Sequence, residues 1–366
     1  MSVMIGVLRE VRDPRQPNAR HELADVLFVA LGATLCGAKS SVEIAEFATD
    51  RLEDLQEIVP LRHGAPSHDT FSRVFRLLEP AALEQAFMAF MAALRAALGL
   101  PPPNGVVPID GKALRRGYEK GRAHMPPLMV SVWDAETRLA IASARAPGNA
   151  EVAATLGLLK SLTLKGCTVT ADALHCHPAM AEAVLSAKAQ YALGLKANHG
   201  PLFAAAEAGF AAAADLAFFE TREQAHGRVE RRRASVLPAS RLPGRPAFPG
   251  LQAIGRIESE RTGSGGKTES KVRYFVLSKN LAPARLAEVV RSHWSIENEL
   301  HWTLDVVFHE DDARTRKDNA PQNLAVIRRL AQNILRAHPL DKPMASKMRK
   351  ASWNKQFFFE LFAHMR

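Results

Sequence analysis

Three cysteines in 366 residues, Cys36, Cys167 and Cys176, are too few for a disulfide framework, and their spacing supplies no paired metal ligands. A reducing compartment fits best. No apolar run reaches membrane-spanning length, and the longest early uncharged stretch, Val26 to Ala38, falls well short of the roughly 20 residues a helix needs. Arg9, Glu10, Arg12 and Asp13 precede it, which is not how a secretory leader begins. Internal repeats are absent, and the composition is not that of a disordered chain. The expectation is a soluble, cytoplasmic, globular protein with no membrane partner. Acidic residues are the other shortfall: 38 Asp and Glu face 48 Lys and Arg, a formal charge of +10. Such an excess suits a polyanionic partner, because bound cations release the counterions condensed on phosphates. An unspecific basic surface is the alternative.

From Glu22 to about Leu100 apolar residues recur at helical spacing, as in Leu23, Val26, Leu27, Ala30, Leu31 and Thr34. Ser40 or Ser41 caps a second helix through Phe47, and Pro66-Ser67-His68-Asp69-Thr70 reads as a turn and cap leading into Phe71, Val74, Phe75 and Leu78. Pro80 opens another helix. Pro101-Pro102-Pro103-Asn104-Gly105 ends this all-α segment, 1–100. The period then changes to that of strands: 106–110, 128–133 and 139–144 form a meander, followed by helix 151–162, strand 167–172, helix 178–188 and strand 191–195. Between about 198 and 281 an Ala-rich helix precedes four strand-like runs, 217–223, 228–236, 251–258 and 272–278. Pro283 starts a long helix, and residues 338–366 are expected to form a helical cap.

Three acids look misplaced. Asp110 and Asp172 each close a strand-like run, and Glu297 lies within the aromatic and basic run His293-Trp294-Ser295-Ile296-Glu297-Asn298. Val290, Glu297 and Leu304 are seven apart, so a continuous helix turns Glu297 inward with them. Taken singly, each acid reads as an ordinary cap, turn or paired residue. Together they suit a pair of divalent cations, because phosphoryl transfer by two metals needs carboxylates on rigid supports that bridge and flank the ions. Gly111, beside Asp110, leaves room for a backbone or a phosphate to approach. Asp305 reads as a helix salt bridge or a supporting acid, and Glu310-Asp311-Asp312 as a solvated loop paired with Arg314, Arg316 and Lys317. Glu151 reads as a first-turn helix acid. His175 and His177 flank Cys176, but no fourth zinc ligand has suitable spacing.

The runs Ile109-Asp110-Gly111-Lys112-Ala113-Leu114-Arg115, Ala171-Asp172-Ala173-Leu174-His175-Cys176 and His293 to Val306 together resemble those of the ISAs-type insertion-sequence transposases. That family is related to the H-repeat-associated proteins within the DDE transposase superfamily. Phe308 to Arg314, Asn323 to Arg329 and Gly64 to Arg73 extend the resemblance over essentially the whole chain. It implies an α/β ribonuclease-H-like mixed sheet flanked by helices, spanning 104–337. An N-terminal all-α domain, 1–100, would precede it, a β-rich insertion at about 198–281 would lie before the Glu-bearing helix, and 338–366 would cap it. It further implies that Asp110, Asp172 and Glu297 bind two Mg2+ ions, for which Mn2+ can substitute, and that the reaction is strand cleavage and transfer at transposon ends. Asp305 or Glu310 would be the third ligand if Glu297 is not. The implied partners are the terminal inverted repeats and target DNA on the nucleoid, with the protein a homo-oligomer. A relic that binds DNA without chemistry and a nuclease that does not join are the rival expectations. Related enzymes carry Tyr, Arg and Lys where this chain has Val290, His293 and Leu304, so phosphate clamping must fall to other residues.

Candidates for DNA contact are Lys112, Arg115 and Arg116 beside the first acid, Arg228, Arg231, Arg232 and Arg233 on one strand-like run, and His301. Basic turns and solvated β faces explain the same patterns. Trp294 and Trp302 read as core residues rather than stacking platforms.

Overall fold

The computed structural model describes residues 2–117, 126–225, 228–244, 246–263 and 267–363. Six helices open the chain: α1 (Ser2–Arg9), α2 (Leu23–Leu35), α3 (Ser41–Asp50), α4 (Leu52–Gln56), α5 (His68–Leu77) and α6 (Pro80–Ala97). Side-chain caps fix the starts of α3 and α5. Ser40 accepts the Glu43 amide at 3.2 Å, and Ser67 accepts the Thr70 amide at 3.4 Å. Helix α2 is buried on every side rather than along one stripe, so it is the axis of the helical part of the molecule.

Three antiparallel strands follow, β1 (Val106–Ala113), β2 (Leu128–Asp134) and β3 (Leu139–Ala146), then α7 (Glu151–Ser161), β4 (Thr168–Ala171), α8 (Pro178–Ser186), β5 (Gln190–Leu195) and α9 (Gly200–Ala212). Four further strands come next: β6 (Phe218–Ala225), β7 (Arg228–Pro238), β8 (Ala253–Thr262) and β9 (Thr268–Leu277). The sheet order is β3-β2-β1-β4-β5-β9-β8-β7-β6, with β1, β4 and β5 parallel to their neighbours in that trio and every other pairing antiparallel. The inserted strands are therefore an extension of the central sheet, joined where Leu193 pairs with Val276.

The chain then runs through α10 (Pro283–His293), a wide π turn (Ile296–His301), α11 (Trp302–Val306), α12 (Ala320–Ala337), α13 (Met344–Trp353) and α14 (Lys355–Ala363). Helices α7, α8 and α9 cover one face of the sheet through Leu158, Met180 and Phe210, while α10 covers the other through Leu286 and Val289. Residues of α2, α6, α12 and α14 share one apolar core with Met129 and Trp133 of β2. Asn333 of α12 completes the edge of β3, accepting the Ala140 amide at 3.0 Å and donating to its carbonyl at 2.8 Å. No single helix among the described residues is long and apolar enough to cross a membrane, although α5 and α6, bent by 95°, pass that test together.

Candidate active site

Pro108 pairs in parallel with Thr170, so Asp110 and Asp172 each lie two residues beyond the same rung of neighbouring strands. Adjacent strands run about 4.8 Å apart, and positions in equal register share a face. The two acids thus come to one end of the sheet by the geometry of β1 and β4. Strand β1 itself continues through Ala113 in partnership with β2, so Asp110 sits inside a strand where the sequence put it at an end. Asp172 does end β4, and its carboxylate accepts the Leu174 amide at 2.9 Å and approaches His175 Nδ1 at 3.1 Å.

Two hydrogen bonds bring Glu297 to the same place. Thr170 Oγ1 and His293 Nδ1 are 2.9 Å apart, and Trp133 Nε1 donates to Ser295 Oγ at 3.1 Å, which lays the end of α10 over β4 and β2. The helical phase is not the expected one. The π turn inserts extra backbone between Val290 and Leu304, which stay buried, and Glu297 emerges exposed rather than inward. Wide turns of this kind recur at functional sites.

Electrostatics tie the acids together. Burial pushes the Asp110 carboxyl from its ordinary 3.8 up to about 7, and Glu297, Glu151 and Asp172 add to the rise. Glu297 is raised by partial burial and by Asp172, against the pull of Arg273. Asp172 is lowered, chiefly by the hydrogen bond from His175. A cation placed among these oxygens would relieve the repulsion, and an all-oxygen donor set suits Mg2+. Among the described residues no three His, Cys, Asp or Glu side chains already converge at ligand distance.

The pKa of Asp110 has a measurable consequence. Below about pH 4 the group is protonated in folded and unfolded chains alike; between pH 4 and 7 only the unfolded chain releases its proton; stability therefore falls across that window as pH rises. In metal-free buffer at pH 8, Asp110→Asn is expected to stabilise the protein by on the order of 2 kcal/mol, with the gain vanishing towards pH 4. Thermal unfolding of both proteins across this range checks it, and a gain that does not depend on pH would contradict it.

The basic residues singled out in the sequence are largely occupied. Lys112 is buried between Asp305 and Asp311, at 2.7 and 2.8 Å, while Arg115 meets Asp311 at 3.2 Å and Arg116 meets Asp312 at 3.6 Å. The acidic run is thus solvated only at Asp312: Asp311 is taken by Lys112 and Arg115, and Glu310 is buried against Arg329 at 3.1 Å and Arg328 at 3.8 Å. On β7, Arg231 bridges Glu220 and Glu260, Arg232 pairs with Glu223 and Glu230, and Arg233 stacks over Phe218. Glu260 stands directly opposite Arg231, Glu220 and Glu223 reach their arginines diagonally from β6, and Glu230 lies two residues before Arg232 on β7 itself, an arrangement a one-dimensional charge count does not reveal. The Arg228 side chain, with His226 and Gly227, lies outside the described residues. His301 Nδ1 sits 3.6 Å behind Asp110 Oδ2, its pKa pushed down to about 3 by burial and by Arg329 and Lys112, so the ring is neutral.

Several site residues escaped sequence reading. Glu151 reaches across from α7 to lie on Gly111, where an added Cβ would stand 2.6 Å from its carboxyl; the space left by that glycine belongs to Glu151. Arg273, on β9, stacks 5.1 Å from the centre of the Trp294 ring and faces Glu297. Trp302 is exposed, not core. A cleft of about 780 Å³ opens between α10 and the inserted strands, lined by Arg232, Arg261, Lys271, Arg273 and Trp294 and ending at Asn298 beside Glu297.

A mixed α/β protein with one acid within a strand, one just past the end of its parallel neighbour and one on a π turn over them is a frame open to several chemistries, and comparison decides among them. Residues 101–334 match the Transposase DDE domain and residues 5–91 the DDE_Tnp_1-associated family; the chain belongs to the DDE transposase family. It is 30% identical to the H repeat-associated putative transposase YhhI of Escherichia coli K12 over 96% of each chain. It is equally 30% identical to the putative transposase YncI of Escherichia coli O157:H7, over 98% of this chain and 93% of that one. The solved piggyBac transposase synaptic complex with hairpin DNA aligns with 99% of this chain and 78% of its own at 13% identity and a TM-score of 0.46, too distant a likeness to speak about the site.

Proposed function

We propose that the protein cuts and joins DNA at insertion-sequence ends, using two Mg2+ ions held by Asp110, Asp172 and Glu297 on a ribonuclease-H-like core. The observation that carries this reading is that Asp110 and Asp172 each lie two residues past the last parallel rung, Pro108 with Thr170, and that Glu297 is felt electrostatically by Asp110 and itself feels Asp172. Bound there, the ions would activate the attacking water or 3′-hydroxyl and stabilise the leaving oxygen. The protein's own task is alignment. Val290 and Leu304 are buried and His293 is bonded to Thr170, its pKa down at about 4, so none of the three clamps a phosphate. Those departures favour the relic reading. Nicking of end DNA by purified protein in Mg2+, followed by joining to a supercoiled target, tests the proposal; binding alone would overturn it in favour of the relic, and nicking without joining in favour of a nuclease.

Terminal repeats and target DNA would follow the cleft beside α10. Its acids are already matched: Glu223 and Glu230 by Arg232, Glu269 by Lys267 and Glu288 by Arg285. Among the described residues no carboxylate lies within 4 Å of Arg261, Lys271 or Arg273. Lys271 and Arg273 alternate on one face of β9, about 7 Å apart. Replacing both by Ala is expected to reduce the slope of log affinity against log salt by nearly 2, whereas replacing Arg231, which does not line the cleft, should leave it unchanged. The opposite ranking in a salt titration would place DNA on the outer face of the sheet. Helices 1–100 and the cap 338–366 would support end recognition and homo-oligomer assembly on the nucleoid, in the cytoplasm.

A further inference from the structure

Helix α7 lies on the face of the sheet opposite Glu297, yet it reaches both aspartates. Glu151 and Thr155 are four residues apart and therefore share a helix face. The Glu151 carboxyl fills the space over Gly111, adjacent to Asp110, and the Gly111 amide faces it. The same carboxyl is 3.7 Å from His175 Nε2, and Thr155 Oγ1 lies 3.0 Å from that nitrogen. The His175 and Thr155 side chains are both fully buried. The other ring nitrogen of His175, Nδ1, is 3.1 Å from Asp172 Oδ1. The ring is thus held from both sides, at Nδ1 by Asp172 and at Nε2 by Thr155, with Glu151 close by.

We propose that α7 is a bracket that sets the separation and orientation of Asp110 and Asp172, with Glu151, Thr155 and His175 as positioning residues. One end of the bracket rests on β1 at Gly111, and the other holds the imidazole that fixes the Asp172 carboxylate. Gly111 is required by this arrangement, because a methyl there would evict the Glu151 carboxyl. Thr155 anchors the ring: its hydroxyl meets Nε2 at 3.0 Å and so keeps Nδ1 turned towards Asp172. The inference rests on the cation site proposed above.

Titration calorimetry of the full chain with Mn2+ alone separates the two. Thr155→Val is expected to weaken Mn2+ binding by about 10- to 100-fold, the usual loss when a group behind a ligand is removed, and Thr155→Ser to restore it. Glu151→Gln and Gly111→Ala should weaken it as well, with unfolding temperatures confirming that each variant folds. Asp110→Asn and Asp172→Asn report on the site itself. If they abolish Mn2+ binding while folded Thr155→Val and Glu151→Gln bind as the parent does, the bracket is overturned and the site stands. If the parent binds no Mn2+, or the two Asn variants bind it undiminished, both ideas fall.

Discussion

Glu297→Gln is expected to lower strand cleavage in Mg2+ by a thousandfold or more, about 4 kcal/mol of barrier, and to leave binding of duplex ends intact. The side chain is exposed and the replacement has its shape, so the fold has little to lose. What disappears is the negative charge that joins those of Asp110 and Asp172. Asp305→Asn supplies the contrast. Asp305 is committed to Lys112, so its loss should act through the Lys112–Asp311 contact and cost stability more than chemistry. Cleavage and filter-binding assays on the two variants decide the matter, and an unchanged cleavage rate in Glu297→Gln would transfer the third acid elsewhere.

Arg329→Ala is expected to be the most damaging change to the fold, costing about 3–5 kcal/mol. Arg329 is completely buried, bonded to Glu310 at 3.1 Å, to Ser131 Oγ at 3.1 Å and to the Ala325 carbonyl at 3.0 Å. Removing it strands the buried Glu310 carboxylate, which Arg328 meets only at 3.8 Å. Glu310→Gln should destabilise for the converse reason, leaving two buried guanidiniums together. Denaturant unfolding measures both. A parent-like midpoint in Glu310→Gln joined to lost cleavage would instead return Glu310 to the acid site.

Where local chemistry decides structure, the residues were readable in advance. Ser40 and Ser67 cap the helices they start, the triple proline follows the helical segment before β1, and the four inserted strands appear at the strand-like runs, with β8 and β9 reaching further around the 261–267 loop, to Thr262 and from Thr268. Asp172 was readable as a strand end because a β-branched run stops at Ala171. The π turn was not readable, since a single widened turn leaves the apolar spacing of Val290 and Leu304 intact while rotating Glu297 between them. Contacts across long sequence separations were equally hidden. Lys112 finds Asp311, and Glu151 finds Gly111, only once the sheet and its flanking helices are assembled. Glu151 in particular looked like any acid in the first turn of a helix. Its importance comes from the glycine beneath it.

Diffraction from crystals grown with end DNA and Mn2+, recorded at the manganese absorption edge, tests the central claim most directly. Anomalous peaks are expected within coordination distance of Asp110 and Asp172, with one of them shared by Glu297. Peaks located elsewhere on the protein, or none at saturating Mn2+ with DNA bound, would contradict it.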